Sequence, residues 1–295
     1  MIEFVSKNRT YLMGIAMILV VIYHAFSCVY NPIGVLNIGY VGVDIFLFLS
    51  GFGLASSFEK NKISHFYKNR FTRIYPIYFI GVLTTYLIMC HNVWGIDDLL
   101  YNLSSLGFYT EGGTQRYDWY LESLFTLYLL FPAFYYFSKL KYVALSLLFV
   151  ATAVVLYAFD VPWWYDCLIA RLPIFLYGIM FAKCHKSAKH IGLLGLILYI
   201  PCRLYVSHFL ASSLLVIAII YLSWHYMGRL KSSVRNAIDF VGKHTLEIYI
   251  ANLYICWSVQ IYTLNMIEKI ALYIIVQVVG AYLIIKLNKY ITRWL

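Results

Sequence analysis

Apolar residues fall along this chain in long blocks, and the blocks have the length of a lipid bilayer. Runs at about 10–28, 38–57, 74–91, 117–137, 141–159, 165–183, 189–206, 209–227, 240–262 and 267–288 approach the roughly 20 residues that a helix needs to cross the hydrocarbon core. The pattern predicts an all-α fold, a polytopic transmembrane helical bundle of about ten spans. It is expected to form a single domain over 1–295 with no appended soluble domain. The first run follows Lys7 and Arg9 as a secretory signal would, but it lacks a small-x-small cleavage site and holds His24, so it reads as a retained span. The seventh, interrupted by Pro201 and Arg203, is the weakest of the ten.

Composition removes the soluble alternative. The chain is 62% hydrophobic and 12% charged, with a mean hydropathy of +0.75. Soluble domains run near 45–50% apolar and about 25% charged. The net charge of +10 does not point to nucleic acid, because the basic residues sit in short clusters between the apolar runs. With the N-terminus cytoplasmic, nineteen Lys and Arg fall on the inner side. Only Arg116, Arg203 and Lys269 fall outside, and Arg171 is left within a span. That positive-inside bias places both termini in the cytoplasm. Asp97, Asp98, Glu111, Asp118 and Asp160 lie outside with Trp94, Trp163 and Trp164, and the longest loop is the outer one at about 92–116. The six cysteines (Cys28, Cys90, Cys167, Cys184, Cys202, Cys256) form no C-x-x-C and read as small apolar residues within helices, with no metal site expected.

Orientation converts position into depth at about 1.5 Å per residue. His24 lies about four residues from the outer end of its helix, Asp44 about six into the second, Glu122 about five into the fourth and Arg171 about six into the sixth. Four ionisable side chains thus share a layer some 6–9 Å below the outer surface. Any one alone reads as well as a structural ion pair or a satisfied interior histidine. Together they favour a site. A carboxylate beside His24 would fix its tautomer and leave the other ring nitrogen as a general base.

The inner face offers different chemistry. In "FYKNRFTRIYP", Arg70 and Arg73 share a helix face three residues apart at the start of the third span, with Pro76 in its first turns. Paired guanidiniums suit phosphate; anchoring to anionic membrane lipid is the competing reading. In "FLFLSGFGLASSF", Ser50, Gly51 and Gly53 allow close helix packing or close approach of a slender ligand.

These motifs resemble the integral-membrane acyltransferase superfamily (acyltransferase family three), whose members O-acetylate surface polysaccharides and related glycans. "YLMGIAMILVVIYHAF" is similar to the family's first helix, "GYVGVDIFLFLSGFGLASSF" to its G-x-x-G-V-D-x-F-F-x-x-S-G-F signature and "FYKNRFTRIYPIYF" to R-x-x-R-I-x-P. "WYLESLFTLYLLFP", "RLPIFLYGIMFA" and "VGKHTLEIYIANLYI" resemble three later segments in order. The resemblance implies transfer of an acyl group, usually acetyl from cytoplasmic acetyl-CoA as co-substrate, to an outward-facing sugar hydroxyl. It makes His24 the catalytic histidine and sets Arg70 and Arg73 near the CoA phosphates. Ser50, Gly51 and Phe52 would border the donor path, and Glu122, Asp44 and Arg171 would support the catalytic layer. Two positions depart from the pattern: Met13 stands where the family has an arginine eleven residues before the histidine, and Asn252 where a late I-Y-x-x-H element has its histidine. Arg9 is the nearest substitute for the first, four residues lower and rotated around the helix.

Three functions remain open on these residues: an O-acyltransferase of a surface or lipid-linked glycan, a polysaccharide or small-solute carrier, and a catalytically inactive scaffold. The first would act alone or with a separate extracytoplasmic partner protein. Abundant Trp, Tyr and Lys without a eukaryotic targeting signal suggest a bacterial cytoplasmic membrane.

Overall fold

A computed structural model describes residues 1–29, 39–60, 63–87, 95–105, 107–110, 119–183, 188–261 and 265–291. Lys62, Cys90, Trp94, Glu111, Arg116, Asp118, Cys184, Lys186 and Arg293 lie outside them, and the side chains of Cys28 and Cys256 are likewise not described. Within the described residues the chain is helical throughout, without a strand. The elements are α1 (Ile2–Lys7), α2 (Arg9–Val29), α3 (Tyr40–Lys60), α4 (Ile63–Thr85), α5 (Ile96–Leu103), α6 (Gly107–Thr110), α7 (Trp119–Leu129), α8 (Phe131–Phe137), α9 (Tyr142–Ala158), α10 (Trp163–Ile169), α11 (Leu172–Phe181), α12 (Ala188–Tyr205), α13 (His208–Leu214), α14 (Val216–Tyr226), α15 (Ser232–Lys243), α16 (Thr245–Ile261) and α17 (Met266–Ile291). Cys167 and Cys202 are buried in α10 and α12.

The distribution of polarity is that of a membrane protein. Large apolar side chains face outward, such as Val150 and Val154 on α9 and Ile267 and Val278 on α17, while Asp44 and Arg171 are 0% exposed and Glu122 is 1% exposed. Lipid accepts the first group; ionisable groups in spans turn to the protein interior.

The all-α membrane bundle stands, but ten spans do not. Five helical stretches among the described residues are long and apolar enough to cross, or six if the pair flanking Lys141, bent by 118°, acts together. The shortfall has local causes. Helices α9 and α16 have 17 residues each, about 26 Å against a core of roughly 30 Å. The 117–137 run divides at Leu130, where Pro132 starts α8. Helix α4 contains Lys68, Arg70 and Arg73. Pro201, by contrast, is carried inside a continuous α12.

Three further expectations are corrected. Helix α4 starts at Ile63, so Arg70 and Arg73 lie within it and Pro76 is an interior proline, not a first-turn one. The 92–116 loop contains α5, whose first-turn Asp98 accepts the Gly95 N–H at 2.9 Å and so caps the helix. Residues 228–239, expected as an inner loop before the run at 240–262, hold most of α15 (Ser232–Lys243), which packs on α2.

Helix α2 is held by near backbone contact. A Cβ on Gly42 of α3 would lie 2.3 Å from the Ala16 carbonyl oxygen, and one on Gly242 of α15 would lie 1.9 Å from that of Thr10. Any side chain at either position must push the helices apart. On the other side of α3, roughly 200° from Gly42, Asp44 Oδ1 lies 3.0 Å from Arg171 Nε and ties α3 to α11. Helix α3 is therefore sandwiched, with α2 on one face and α11 on the other.

Two stability outcomes follow. Gly242→Ala is expected to lower stability in detergent by about 1–3 kcal/mol. Gly228→Ala, where nothing lies within 4 Å of the added atom, should stay within about 0.5 kcal/mol; thermal unfolding of the two variants checks this. Asp44→Leu strands the Arg171 guanidinium and should cost about 3–5 kcal/mol. Adding Arg171→Leu should recover part of that loss in the same assay.

Candidate active site

His24 sits on α2, about four turns from Arg9, the one Lys, Arg, Asp or Glu in that helix. Its Nδ1 meets Asn252 Oδ1 of α16, and its ring lies 5.4 Å from that of Tyr23. Asn252 is wholly buried and is itself held by α17: its Nδ2 donates to the Tyr273 hydroxyl and to Gln277 Oε1 at 3.0 Å. Tyr273 donates onward to the Val21 carbonyl at 3.1 Å, one turn below His24. Tyr23 donates to the Tyr40 hydroxyl at 2.6 Å, linking α2 to the start of α3.

The expected carboxylate at His24 is thus replaced by an amide. Asp44 is turned the other way, because Gly42 and not Asp44 occupies the α2 face of α3. Arg171 chooses Asp44 over Glu122. It caps the break between α10 and α11, donates Nη1 to the Cys167 carbonyl at 2.8 Å and stacks between Trp119 at 4.5 Å and Phe209 at 4.8 Å. Its Nη2 is buried without a hydrogen-bond partner among the described residues. The Tyr78 hydroxyl donates to the Asn102 carbonyl at 2.5 Å and also lies 3.4 Å from Glu122 Oε1 on α7. The predicted layer therefore resolves into three groups, around His24, Arg171 and Glu122. Aromatic rings bridge the first two: Tyr40 lies 4.4 Å from Tyr23 and 5.2 Å from Phe209, centroid to centroid.

At the basic end a cavity opens among α2, α3, α4, α7 and α16. Arg9, Arg70 and Arg73 line it together, with Ser50 and Met13 beside them. Phe46, Leu124, Tyr120 and Tyr249 complete its apolar walls. Among the described residues no carboxylate forms an ion pair with any of the three arginines. Arg9 Nε and Arg70 Nε are buried without a hydrogen-bond partner, although Arg70 Nη2 donates to Ser57 at 3.0 Å. The Arg9 guanidinium reaches the site by crossing Gly53, where an added Cβ would lie 2.7 Å from Nη1. A neighbouring cavity shares Arg9, Met13 and Arg73 and adds Lys243 and Glu247, the latter accepting from Asn288 at 2.8 Å.

Met13 and Arg9, one turn apart, line the same two cavities, so the offset between them does not keep Arg9 away. Gly51 and Phe52 are placed differently from Ser50. A Cβ on Gly51 would meet the Phe175 carbonyl at 2.4 Å, and Phe52 packs on Phe181 at 6.1 Å, so both form the α3–α11 seam and not the cavity wall. Sequence reasoning had set aside Asn252 as a departure and had not found Tyr273 or Gln277. Their only advance signal was polarity within two otherwise apolar helices.

Comparison with known proteins agrees with this architecture. No solved structure matches the chain. The protein named "Acyltransferase MdmB" from Streptomyces mycarofaciens is 32% identical over 112 residues, an alignment covering 34% of this chain and 29% of that protein. The chain thus spans under a third of that relative's length. The family model described as an acyltransferase domain matches residues 10–286, nearly the whole sequence, including His24, Arg70, Arg73 and Asn252 but beginning one residue after Arg9. The chain is an integral membrane protein that belongs to acyltransferase family three.

Proposed function

We propose that the protein moves a short acyl group, acetyl first among them, from acyl-CoA bound at the basic end to a hydroxyl of a surface or lipid-linked glycan at the opposite end. The observation that carries the reading is the cluster of Arg9, Arg70 and Arg73, three guanidiniums brought together with no ion-pairing carboxylate among the described residues. Like charges so arranged raise one another's cost until an anion arrives, and guanidinium is the group best matched to phosphate oxygens. The apolar walls formed by Phe46, Leu124 and Tyr249 suit a slender arm more than a hydrated ion. A donor with phosphates at one end and a long thioester arm at the other has that shape.

The chemistry needs one proton carrier. His24 Nε2 takes the acceptor hydroxyl proton as the oxygen forms its bond to the thioester carbonyl carbon. The carbon–sulfur bond then breaks, the CoA thiolate departs and the imidazolium returns the proton to sulfur. Arg171, paired with Asp44 on the far face of α3, supports the layer that holds His24 at one remove, through Phe209, Tyr40 and Tyr23. Glu122, beside Tyr78 of α4, supports the catalytic layer from α7.

Two measurements test this. With [14C]acetyl-CoA and the host's glycan fraction, membranes carrying the wild-type chain should label glycan, and His24→Gln at matched abundance should reduce labelling by about 100-fold or more. Equal labelling with His24→Gln would overturn the base assignment; solute counterflow without labelling would favour a carrier. For the donor site, Arg9→Gln should weaken CoA binding by about tenfold or more, the value of one charge-assisted hydrogen bond. Binding by the wild type should also weaken with rising salt. Titration of purified protein with CoA reads both effects.

A further inference from the structure

Building on the reading of His24 as the base, we infer that Asn252 is a positioning residue that sets the tautomer of His24, and that the choice is dictated from a backbone carbonyl three links away. The chain of hydrogen bonds has one fixed end. Ile248 C=O can only accept, so Gln277 must present its amide nitrogen there, and does so at 3.1 Å. Gln277 Oε1 is then the end left facing Asn252, and it accepts from Nδ2 at 3.0 Å. That in turn directs Asn252 Oδ1 toward His24 Nδ1. An amide oxygen has no proton to give, so Nδ1 carries the hydrogen and the lone pair lies on Nε2. Reversing Asn252 would bring two carbonyl oxygens together at Gln277 and lose a buried hydrogen bond. Tyr273, accepting from Asn252 and donating to Val21, closes the arrangement onto the helix that bears His24.

The amide differs from a carboxylate in one consequential respect. It orients the ring without placing a negative charge beside it, so the imidazolium formed during transfer gains no counter-ion from this partner. The proton taken from the hydroxyl is held loosely and passes on to the departing thiolate. Asn252 is thereby an acceptor in the role usually filled by an acid.

The test reads the ring directly. The protein is labelled with 15N-histidine, reconstituted in lipid vesicles and examined by solid-state NMR, with the His24→Gln difference spectrum identifying the signal. Wild type should show a protonated Nδ1 and an unprotonated Nε2. Asn252→Leu should lose that single form, with protonation appearing on Nε2, whereas Asn252→Asp keeps an acceptor at Nδ1 but adds a negative charge, and should shift the ring toward the doubly protonated form at the same pH. A wild-type ring protonated on Nε2, or a spectrum unchanged in Asn252→Leu, would overturn the inference. If the leucine variant does not accumulate, the wild-type and aspartate spectra still decide it. In the same vesicles, Asn252→Leu should lower kcat by about 100-fold or more, as a wrong tautomer does, while KM for acyl-CoA stays within about twofold. If wild type shows the expected ring but transfers no acyl group, the base reading fails and the tautomer assignment stands.

Discussion

Helix α2 is the element on which the rest depends, because it carries both ends of the proposed chemistry on one rigid rod. Arg9 and His24 are fifteen residues apart, about 22 Å along the axis. That separation is fixed by helix geometry and not by loops. The rod itself is fixed by backbone approach: Gly42 meets Ala16 and Gly242 meets Thr10. Without a large hydrophobic drive between helices in lipid, such close packing is what holds one span against another. Anything that widened those contacts would shift the histidine and the anion cluster relative to their partners at the same time.

The neighbours of α2 divide the work by face. Helix α3 gives it glycine and turns Asp44 to Arg171 on the far side. Helices α16 and α17 give it the amide chain that orients His24. Helix α4 brings Arg70 and Arg73 to meet Arg9 across the cavity. The Asp44–Arg171 pair thus acts at one remove from the histidine, joined to it through Phe209, Tyr40 and Tyr23.

Much of this was legible in the sequence where the signal was local. The apolar runs gave the class, the basic residues gave two distinct ends, and Asp44, Glu122 and Arg171 were recognisable as span charges that need partners, although which carboxylate meets Arg171 was left open. What escaped detection depended on contacts between distant segments. Asn252 meets His24 across 228 positions, and nothing in its own neighbourhood distinguishes an orienting amide from a tolerated one. Arg9 looked displaced because its helical angle was weighed without the length of its side chain, which passes over Gly53 to reach the cavity. The span count fell short because hydropathy sees composition and not breaks: Pro132 divides a run that is apolar throughout, whereas the stretch across Arg171 still counts as one span.

The account requires donor and acceptor to meet from opposite ends of the bundle. Sealed vesicles with the basic end outward, loaded with glycan acceptor and given labelled acetyl-CoA only from outside, examine that requirement directly. Label should accumulate on enclosed glycan, and a wild-type chain supplied with acetyl-CoA only in the lumen should leave external glycan unlabelled. Equal labelling from either side, or labelling only when both substrates share a side, would contradict a path running the length of α2.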